Sequence, residues 1–402
     1  MPVTGALQTE RGAHAISGAL SRFYQPGFLL RILQFCTDFP ESGGIQTHVL
    51  DLTGWLVENG HEVRFAGEPG ASANADSHPG FIDLPMWKIS RFDGHLPGRL
   101  VALARAAWAL RRRLKAQPVD IIHAHETAPA LTAWLATRGL GIPVAMTFHG
   151  SAPERIPSAA RIAARCADLT ISPSRTSLDA MIAHGVDPEK ARQLGLGIKP
   201  QPALAPEDIA DLRAGYLGGE TGTLIFSPSR LDPQKGIDVM IDVAKTVRAR
   251  HPDTVFVIAG TGPLDGEVQG WAEAAGQGEA MRFLGSIETV PLHLAASDIF
   301  LLTSRWEALP ISIVEAFRAG RPVIATDCGG VKELVDDQVG HLCAVEDVAG
   351  IADAILEMIE TPDLRAAKGQ AALARSAEAR FDPDAVHARF AATYAELICK
   401  DP

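Results

Sequence analysis

The sequence predicts an α/β protein of two similar domains, each built on a doubly wound parallel sheet. Strand-like apolar runs alternate with helical patterns along nearly the whole chain, which is typical of parallel sheets. A proline-rich connector, Lys-Pro-Gln-Pro-Ala-Leu-Ala-Pro at 199–206, interrupts this alternation near the middle. A length of 402 residues is also too great for one hydrophobic core. Two domains with a ligand-binding cleft between them are therefore expected.

The first half begins its alternation with a strand over 29–35. A helical pattern over 47–57 follows, ends at Asn59-Gly60, and gives way to a strand over 61–66. The other elements predicted in this half are helices at 96–115, 127–137 and 159–167 and strands at 119–123, 144–148 and 169–172. This series predicts one complete domain over residues 29–199, preceded by a poorly ordered extension at 1–28.

The second half repeats the pattern after the connector. Strands are predicted at 223–227, 255–259, 282–284, 299–303 and 322–326, with helices between them. A last helix is predicted over 382–397, with Asp382 or Asp384 as its N-cap. The predicted organisation is thus a linker at 200–206, a second domain at 207–381 and a terminal helical segment at 382–402.

Composition excludes several classes of protein. Apolar residues make up 47% and charged residues 21%, which indicates a folded chain. A net charge of −11 argues against a nucleic-acid partner, which is usually bound by a basic face. The five cysteines are scattered and form no Cys-x-x-Cys pair, so a reducing compartment is favoured. With no apolar run of about 18 residues and no secretory signal, a cytoplasmic protein is predicted.

The most informative stretch is 304–320, between two predicted strands of the second half. Glu307 is placed in a loop at a strand's carboxyl end, and Pro310 in the first turn of the following helix. Backbone N–H groups at the start of that helix suit a diphosphate. Glu315, one turn further, offers two acceptor oxygens to a ribose diol. Two isolated carboxylates could equally serve the helix dipole. The residues predicted to bind the diphosphate here are Leu309, Pro310 and Ile311.

The surrounding residues extend this pattern. Glu307 and Glu315, with seven residues between them, are followed by Ala-x-x-Ala-Gly-x-Pro-Val-Ile-Ala-Thr and then Gly329-Gly330. This arrangement closely resembles the donor site of the retaining glycosyltransferases of family 4. The resemblance spans about Leu30 to Leu397 and implies the GT-B fold, with two Rossmann-like domains facing a central cleft. It further implies that Glu307 faces the donor sugar as a catalytic residue, that Glu315 binds the ribose, and that the last helix returns to the first domain.

Two further loops of the second half fit a nucleotide diphosphate. Arg230 and Lys235 follow its first strand. The segment that contains them resembles the family's Arg-Leu-x-x-x-Lys-Gly motif, which implies that both side chains bind the diphosphate. An isolated arginine and lysine at this spacing more often lie on a solvent-exposed turn. Gly260 and Gly262 form a Gly-x-Gly turn, but Asp265 stands where a dinucleotide fingerprint needs glycine. The resemblance places these glycines, and backbone near Ile287, beside the nucleotide.

The first domain is predicted to supply the acceptor side. Gly43 and Gly44 precede its first helix, where amides can close on phosphate or on the reacting sugar. His125 ends a His-Ala-His run at a predicted strand end and is expected to line the cleft. His149 lies in a Thr-Phe-His segment whose counterpart in the family contacts the donor sugar, which implies a catalytic role. The alternative for His149 is a satisfied core histidine. The alternative for His125, together with His123, is metal ligation, although no Cys, Asp or Glu completes a ligand set.

Two positions depart from the family pattern. Leu196 stands where many members have Asn, so any contact from that Asn is lost. Ala308 follows Glu307 where Gly is usual, and its small side chain should still permit close approach. The family mechanism implied for the chain is a same-face transfer with retention, assisted by the departing phosphate.

The expected activity is hexosyl transfer from a UDP- or GDP-sugar to a glycan, lipid-linked or small-molecule acceptor, in polysaccharide or glycoconjugate synthesis. No cofactor or metal is expected, because the sole Asp-x-Asp, Asp382-Pro383-Asp384, indicates a helix cap. A nucleotide-sugar epimerase of the same fold and a non-catalytic sugar-nucleotide-binding subunit are the alternatives. The basic run from Arg105 to Lys115, with Trp108, is either a solvated helix face or a peripheral contact with the inner membrane surface.

Overall fold

The computed structural model of the chain describes residues 29–39, 44–69, 81–86, 89, 96–200, 203–218 and 221–399. Its helices and strands alternate around two separate parallel sheets, as the sequence predicts. The predicted extension at 1–28 lies outside the described residues, and so does Gly43, one of the predicted site residues.

Within the described residues, the first sheet has seven strands in the order β3-β2-β1-β4-β5-β6-β7, all pairs parallel. Strand order reverses between β1 and β4, and such switch points are where open α/β sheets bind ligands. The strands are β1 (Arg31–Phe39), β2 (Glu62–Pro69), β3 (Ile82–Asp83), β4 (Ile121–His125), β5 (Val144–Thr147), β6 (Leu169–Ser172) and β7 (Ala191–Gln193).

The second sheet, within residues 221–399, has six parallel strands in the order β10-β9-β8-β11-β12-β13. Its switch point lies between β8 and β11. The strands are β8 (Leu224–Pro228), β9 (Val255–Ala259), β10 (Met281–Phe283), β11 (Ile299–Leu302), β12 (Val323–Thr326) and β13 (Gly340–Cys343). Two ligand-binding edges are thus present, one in each half of the chain.

Helices cover both faces of the two sheets. Among the described residues, none of these helices is long and apolar enough to cross a bilayer. The α-helices are Gly44–Glu58, Leu96–Ala116, Thr127–Thr137, Ile156–Cys166, Arg175–Ala183, Pro206–Leu217, Ile237–Arg248, Glu267–Ala274, Val290–Ala296, Ile311–Arg318, Val348–Glu360, Pro362–Arg375 and Pro383–Cys399. Short 3₁₀ helices are Pro153–Arg155, Pro188–Lys190, Pro233–Lys235, Val331–Glu333 and Ala379–Phe381.

Alternating strand residues fill separate cores on the two faces of each sheet. In β1, Leu33 packs with one set of helices, whereas Ile32 packs with helix Gly44–Glu58 and the last helix. In β11, Phe300 and Leu301 divide between the two faces in the same way. This period-2 alternation of buried side chains is what a strand covered on both faces requires.

The last helix, Pro383–Cys399, packs against the first domain. Phe390 and Tyr394 are buried beside the first sheet, and the Tyr394 hydroxyl lies 2.7 Å from His123 Nδ1. The Asp382 carboxylate accepts the backbone N–H groups of Asp384, at 2.9 Å, and Ala385, at 3.3 Å. Asp382 is therefore the residue that caps this helix.

The prediction of a strand over 119–123 is two residues too early. The ladder of β4 with β5 runs from Ile122 to His125, so both histidines of the His-Ala-His run lie within the strand. Both are buried and hydrogen bonded. A buried strand can therefore continue through polar side chains that have hydrogen-bond partners, and a strand prediction based on apolar residues alone then ends too early.

Candidate active site

Two loops at the switch point of the second sheet bring Lys235 and Glu307 together. Lys235 lies in the loop after β8 and Glu307 in the loop after β11. Lys235 Nζ lies 2.5 Å from Glu307 Oε1, and the Ser304 hydroxyl donates to that same oxygen at 2.7 Å. The exposed fraction is 9% for the Glu307 side chain and 18% for that of Lys235. The two form a largely buried ion pair at the expected ligand-binding edge.

The loop after β12 supports the backbone that carries Glu307. Gly329 has a φ of +55°, and a Cβ at this position would overlap the Glu307 carbonyl oxygen. Gly330 donates its N–H to the Ala308 carbonyl at 2.9 Å. The Gly329-Gly330 pair of the sequence motif therefore lets two loops lie in direct backbone contact at the carboxyl ends of β11 and β12.

Arg230, the second predicted cation, lies in the Lys235 loop but outside the ion pair. Its side chain is 63% exposed, and its guanidinium donates to Asp232 Oδ2 at 2.5 and 2.7 Å. The other oxygen of Asp232, Oδ1, accepts the Lys235 backbone N–H at 3.3 Å. Sequence reasoning did not select Asp232, although it lies between the two cations of the motif. This buried carboxylate contacts both predicted diphosphate-binding residues.

The helix Ile311–Arg318 begins one residue later than predicted. Pro310 is its N-cap instead of a first-turn residue. Its φ of −72° is compatible with a helix, but its ψ of 115° is extended, so Ile311 is the first residue in helical geometry. Leu309 and Ile311 are half-buried against the second-domain core. Burial raises the pKa of Glu315 on this helix, and the nearby charge of Arg318 opposes that shift. The helix N-terminus adjoins the loop of Glu307.

The predicted nucleotide-side glycines lie in a loop stacked on the Arg230 loop. A Cβ on Gly260 would overlap the Ser229 carbonyl oxygen, and one on Gly262 would overlap the Leu231 carbonyl oxygen. Gly260 also donates its N–H to the Gly285 carbonyl at 2.8 Å. The backbones of these loops thus approach one another at the carboxyl ends of β8, β9 and β10. Ile287, beyond β10, is half-buried against the same domain core.

On the first-domain side, Gly44 begins helix Gly44–Glu58 after β1. A Cβ built on this exposed glycine would lie 3.8 Å from Ile311 Cδ1 of the second domain. Two helix N-termini, one from each domain, therefore converge here, and both belong to the set predicted to bind diphosphate.

His125 and His149 meet at the carboxyl ends of β4 and β5. His125 Nδ1 lies 3.0 Å from His149 Nε2, and His125 Nε2 lies 2.8 Å from Gln34 Oε1. In the arrangement where the Gln34 oxygen is the acceptor, His125 carries its proton on Nε2 and accepts on Nδ1. His149 then donates from Nε2, which leaves its Nδ1 as an acceptor. Burial lowers the pKa of His149 to about 4, so the ring is neutral at pH 7.

Two residues at this edge were not predicted as site residues. Both ring nitrogens of His48 are buried without a hydrogen-bond partner in the described part of the chain, 5.9 Å between ring centroids from His149. Glu126 Oε1 accepts the His149 backbone N–H at 2.7 Å. His48 stands in the Gly-Gly-Ile-Gln-Thr-His motif and Glu126 directly follows His-Ala-His, so their positions beside known motifs were the available signal.

The two sides of the site touch at Gly150 and Ala308. A Cβ built on Gly150, whose φ is +95°, would lie 3.0 Å from the Ala308 Cβ. Ala308 is thus accommodated by glycine in the opposite domain, as expected for a small side chain. Leu196, the other departure from the family pattern, is buried in the second-domain core. His149 and Glu307 each precede a residue of this contact, so the contact brings the two predicted catalytic residues to one place.

A second contact joins the domains beside the first. The Glu333 carboxylate accepts from the Ser174 hydroxyl at 2.6 Å and from the backbone N–H groups of Thr176 at 2.8 Å and Arg175 at 3.0 Å. These bonds lower the pKa of Glu333 although its partial burial raises it. Glu333 of the second domain therefore caps helix Arg175–Ala183 of the first, and sequence reasoning did not identify it.

Two family models and several known proteins are similar to this chain over most of its length. The model of Glycosyltransferase Family 4 matches residues 42–201, and that of Glycosyl transferases group 1 matches residues 208–375. The phosphatidyl-myo-inositol mannosyltransferase of Propionibacterium freudenreichii is 30% identical over 351 residues, covering 83% of this chain and 87% of that protein. This chain belongs to the group 1, family 4 glycosyltransferases. It is an enzyme, a hexosyltransferase that uses a nucleotide-sugar donor.

Other relatives of this glycosyltransferase agree with that membership. An Escherichia coli UDP-Gal:α-D-GlcNAc-diphosphoundecaprenol α-1,3-galactosyltransferase is 28% identical over 268 residues, covering 63% of this chain and 69% of that one. The crystal structure of Anabaena Alr3699/HepE in complex with UDP and glucose superposes with a TM-score of 0.75 at 23% identity, covering 91% of this chain and 99% of the other. The glycosyltransferase therefore has the GT-B fold. Its described residues contain no group of three or more His, Cys, Asp or Glu side chains that could hold a metal ion.

Proposed function

We propose that this glycosyltransferase moves a hexose from a UDP- or GDP-sugar to a hydroxyl of a glycan or lipid-linked acceptor, with retention at the anomeric carbon. The observation that carries the proposal is the buried Lys235–Glu307 pair at the second switch point. It lies next to the Gly150–Ala308 contact, and His149 lies next to the same contact from the other domain. A sugar bound there meets a cation, a carboxylate and a neutral imidazole.

In this proposal the second domain stabilises the leaving diphosphate. Negative charge builds up on that group as the glycosidic bond breaks, and preformed cations and amides favour the transition state. Lys235 and Arg230 supply charge, and the backbone N–H groups of Leu309 and Ile311, with that of Gly44 from the first domain, supply donors. Glu315 accepts the ribose hydroxyls, and Glu307 and His149 position the sugar. The acceptor hydroxyl attacks the anomeric carbon from the face that the diphosphate leaves and gives its proton to that departing diphosphate. The nucleotide sugar is a co-substrate, and no metal ion takes part in these proposed steps.

The relatives favour this choice of donor and acceptor. One is named for mannosyl transfer to phosphatidyl-myo-inositol, and another for galactosyl transfer from a UDP-sugar to a diphosphoundecaprenol-linked sugar. The Anabaena structure contains UDP and glucose. We accordingly propose a lipid-linked acceptor in glycoconjugate synthesis, presented to a cytoplasmic enzyme at the inner membrane face.

Thermal shift and turnover test the proposal together. We expect UDP or GDP to raise the Tm more than ADP does, and the matching sugar nucleotide to be consumed with a product of unchanged anomeric configuration, assigned by NMR. Glu315→Gln is expected to weaken binding of that nucleoside diphosphate about tenfold, because one charged acceptor for the ribose is lost. Binding of inorganic pyrophosphate, which has no ribose, is the control and should not change. A protein that none of the three nucleotides stabilises would contradict the proposal.

We further propose that helix Leu96–Ala116 touches the membrane surface. Trp108 is 61% exposed, Leu100 and Val101 are each 57% exposed, and the Arg112 guanidinium lies 4.9 Å from the centre of the Trp108 ring. Exposed apolar and cationic side chains on one helix favour an anionic lipid interface. The basic triplet at 111–113 does not act as a unit, because Arg111 donates to the Ala136 and Arg138 carbonyls of its own domain.

Vesicle flotation checks this contact. We expect the protein to float with vesicles that contain anionic lipid and to stay behind with purely zwitterionic ones. Trp108→Ser combined with Arg112→Ser should lower the bound fraction severalfold, since each basic residue near the surface contributes about 1 kcal/mol. Trp271→Ser, at an exposed tryptophan of the second domain, is the matched control. If both variants float with anionic vesicles to the same extent as wild type, this helix does not contact the membrane.

A further inference from the structure

We propose that Glu126 is a positioning residue for the transfer reaction, holding the backbone and thereby the imidazole of His149 in the cleft. The inference deepens the proposed function, because it rests on His149 contacting the transferred sugar. Glu126 is the residue directly after β4, and His149 is the second residue after β5, so two neighbouring strand ends bring them together.

The contact is short and specific. Glu126 Oε1 accepts the His149 backbone N–H at 2.7 Å, and the Glu126 backbone N–H donates to the Thr147 carbonyl at 3.0 Å. Glu126 therefore holds the segment Thr147–His149 from both its main chain and its side chain. The carboxylate is not used to cap the helix Thr127–Thr137 that it precedes, although it occupies that helix's N-cap position. Its hydrogen bond goes to the next strand end instead.

The backbone of Glu126 indicates that this geometry is imposed by its surroundings. Its φ is 80° and its ψ is 174°, a region that glycine adopts freely and that glutamate adopts only under constraint. Such strain is found at functional sites, where the surrounding structure holds a residue in an unfavourable conformation. A glycine at 126 would relieve the strain but could not bind the His149 amide. Mutation can thus distinguish the effect of the carboxylate from the effect of the strained backbone.

The effect on chemistry passes through the histidine pair. The imidazole of His149 is held at one end by His125, whose Nδ1 lies 3.0 Å from His149 Nε2, and at the other by its own backbone. If the backbone shifts, the His149 Nδ1 acceptor shifts with it. The carboxylate of Glu126 fixes that backbone and need not contact the sugar itself, which is why it is a positioning residue.

Steady-state kinetics with the preferred sugar nucleotide test the proposal. We expect Glu126→Ala and Glu126→Gly to lower kcat about 100-fold with donor KM within about twofold, because a misplaced reacting group costs turnover more than binding. Glu126→Gln keeps an Oε1 acceptor for the His149 amide and should retain kcat within about threefold of wild type. Glu126→Gly keeps the proposal testable if the alanine variant fails to fold, because it removes backbone strain.

Asp168 provides a matched control at the other end of β5. Its Oδ2 accepts the Val144 backbone N–H at 2.8 Å, so it is also a carboxylate bound to a strand amide, but distant along the strand from the cleft. Asp168→Ala should leave kcat near the wild-type value, and its Tm measures what the loss of such a hydrogen bond costs in stability. If Glu126→Ala and Asp168→Ala lower kcat equally, or if Glu126→Gln fails to restore it, the positioning role is refuted.

A second readout separates this inference from the proposed function. The ring resonances of His149 in isotope-labelled protein, assigned with His149→Ala, should move in Glu126→Ala and Glu126→Gly but stay in place in Glu126→Gln and Asp168→Ala. If the wild type transfers no sugar, the proposed function fails, yet these resonances still decide whether Glu126 positions His149. Resonances that stay unmoved in every variant would overturn the inference even if the enzyme is active.

Discussion

Lys235→Met is expected to lower kcat by about 10²- to 10³-fold, as the loss of one preorganised charge at a developing anion does in other enzymes. Methionine keeps the length and apolar stem of lysine but removes its charge. The donor KM should change less than kcat, because the interaction is strongest when the diphosphate leaves. Steady-state kinetics with the sugar nucleotide that turns over fastest measures both constants.

The same change should also destabilise the protein, because Glu307 would lose its ion-pair partner in a largely buried site. Breaking a buried ion pair from one side costs about 3–5 kcal/mol, and the partial exposure of this pair places it at the lower end. Glu307→Gln removes the other charge. The double variant Lys235→Met with Glu307→Gln should therefore regain much of the lost stability and none of the lost activity.

Lys368→Met is the matched control for this experiment. Lys368 is also a buried lysine, and its Nζ donates to the Asp337 carbonyl at 2.5 Å and to the Gly340 carbonyl at 3.1 Å, at the amino end of β13. Replacing Lys368 should lower the stability of the protein and leave kcat unchanged. If Lys235→Met behaves like Lys368→Met, Lys235 is a structural residue and the proposed donor site is wrong.

Much of the fold follows from the sequence because both sheets are covered on two faces. Buried strands then appear as continuous apolar runs, and β9 at Val255–Ala259 and the helix Thr127–Thr137 have the predicted bounds. Short edge elements were missed, namely β3, β7 and β13. With two to four residues and one neighbouring strand, they carry too little periodicity to separate them from loops.

The parts of the site that depend on long-range pairing could not be read from the chain. The sequence places Lys235 and Glu307 at strand ends, but they are 72 positions apart and their ion pair depends on β8 and β11 being neighbours. Glu333 and Ser174 are separated by 159 positions and by a domain boundary. A motif indicates which residue types a loop offers, whereas strand order decides which loops meet.

Glu126 illustrates a different limit. Its hydrogen bond to His149 could be suspected from its place after His-Ala-His, but its left-handed backbone leaves no mark in the sequence. Glycine or asparagine would have marked a positive φ. A glutamate there is visible only once β4 and β5 are side by side. Local preference is overruled here by the surrounding sheet, as happens where a fold serves a site.

Acidification below about pH 6.5 is expected to destabilise the protein steeply, because a cluster of neutral histidines is buried under the cleft. Burial lowers the pKa of His123 to about 3 and those of His149 and His387 to about 4. The same cause holds the pKa of His48 and His125 well below the usual range. In the unfolded chain each imidazole binds a proton near pH 6.5.

The direction of the change in stability with pH follows from proton uptake on unfolding. Between about pH 4 and pH 6.5 the unfolded state binds more protons than the folded state, so the free energy of unfolding falls as pH falls. Each histidine contributes about 1.4 kcal/mol per pH unit, and the three with pKa values of 3 to 4 together remove about 4 kcal/mol at pH 5.5. That is a large share of the roughly 5–15 kcal/mol available to a folded protein.

Glu126 opposes this trend but does not reverse it. Burial raises the pKa of its carboxyl to about 7, so its ionisation destabilises the fold as pH rises from 4.5 through 7. Protonation of Glu126 on acidification from pH 7.5 to 5.5 therefore raises the free energy of unfolding by about 2 kcal/mol. The histidines outnumber it, and the net effect in that interval is a loss of stability on the acid side.

Chemical denaturation at a series of pH values measures the effect as protons taken up on unfolding. His387→Gln should reduce that uptake by about one proton at pH 5.5, because His387 is buried with neither ring nitrogen hydrogen bonded in the described part of the chain. The charges nearest to it, Asp51, Asp384 and Lys199, are unchanged by the substitution. His184→Gln, at an exposed histidine, is the control for replacing a histidine by glutamine. Stability that stays level from pH 7 to 5.5 would mean that burial does not lower the pKa values of these histidines.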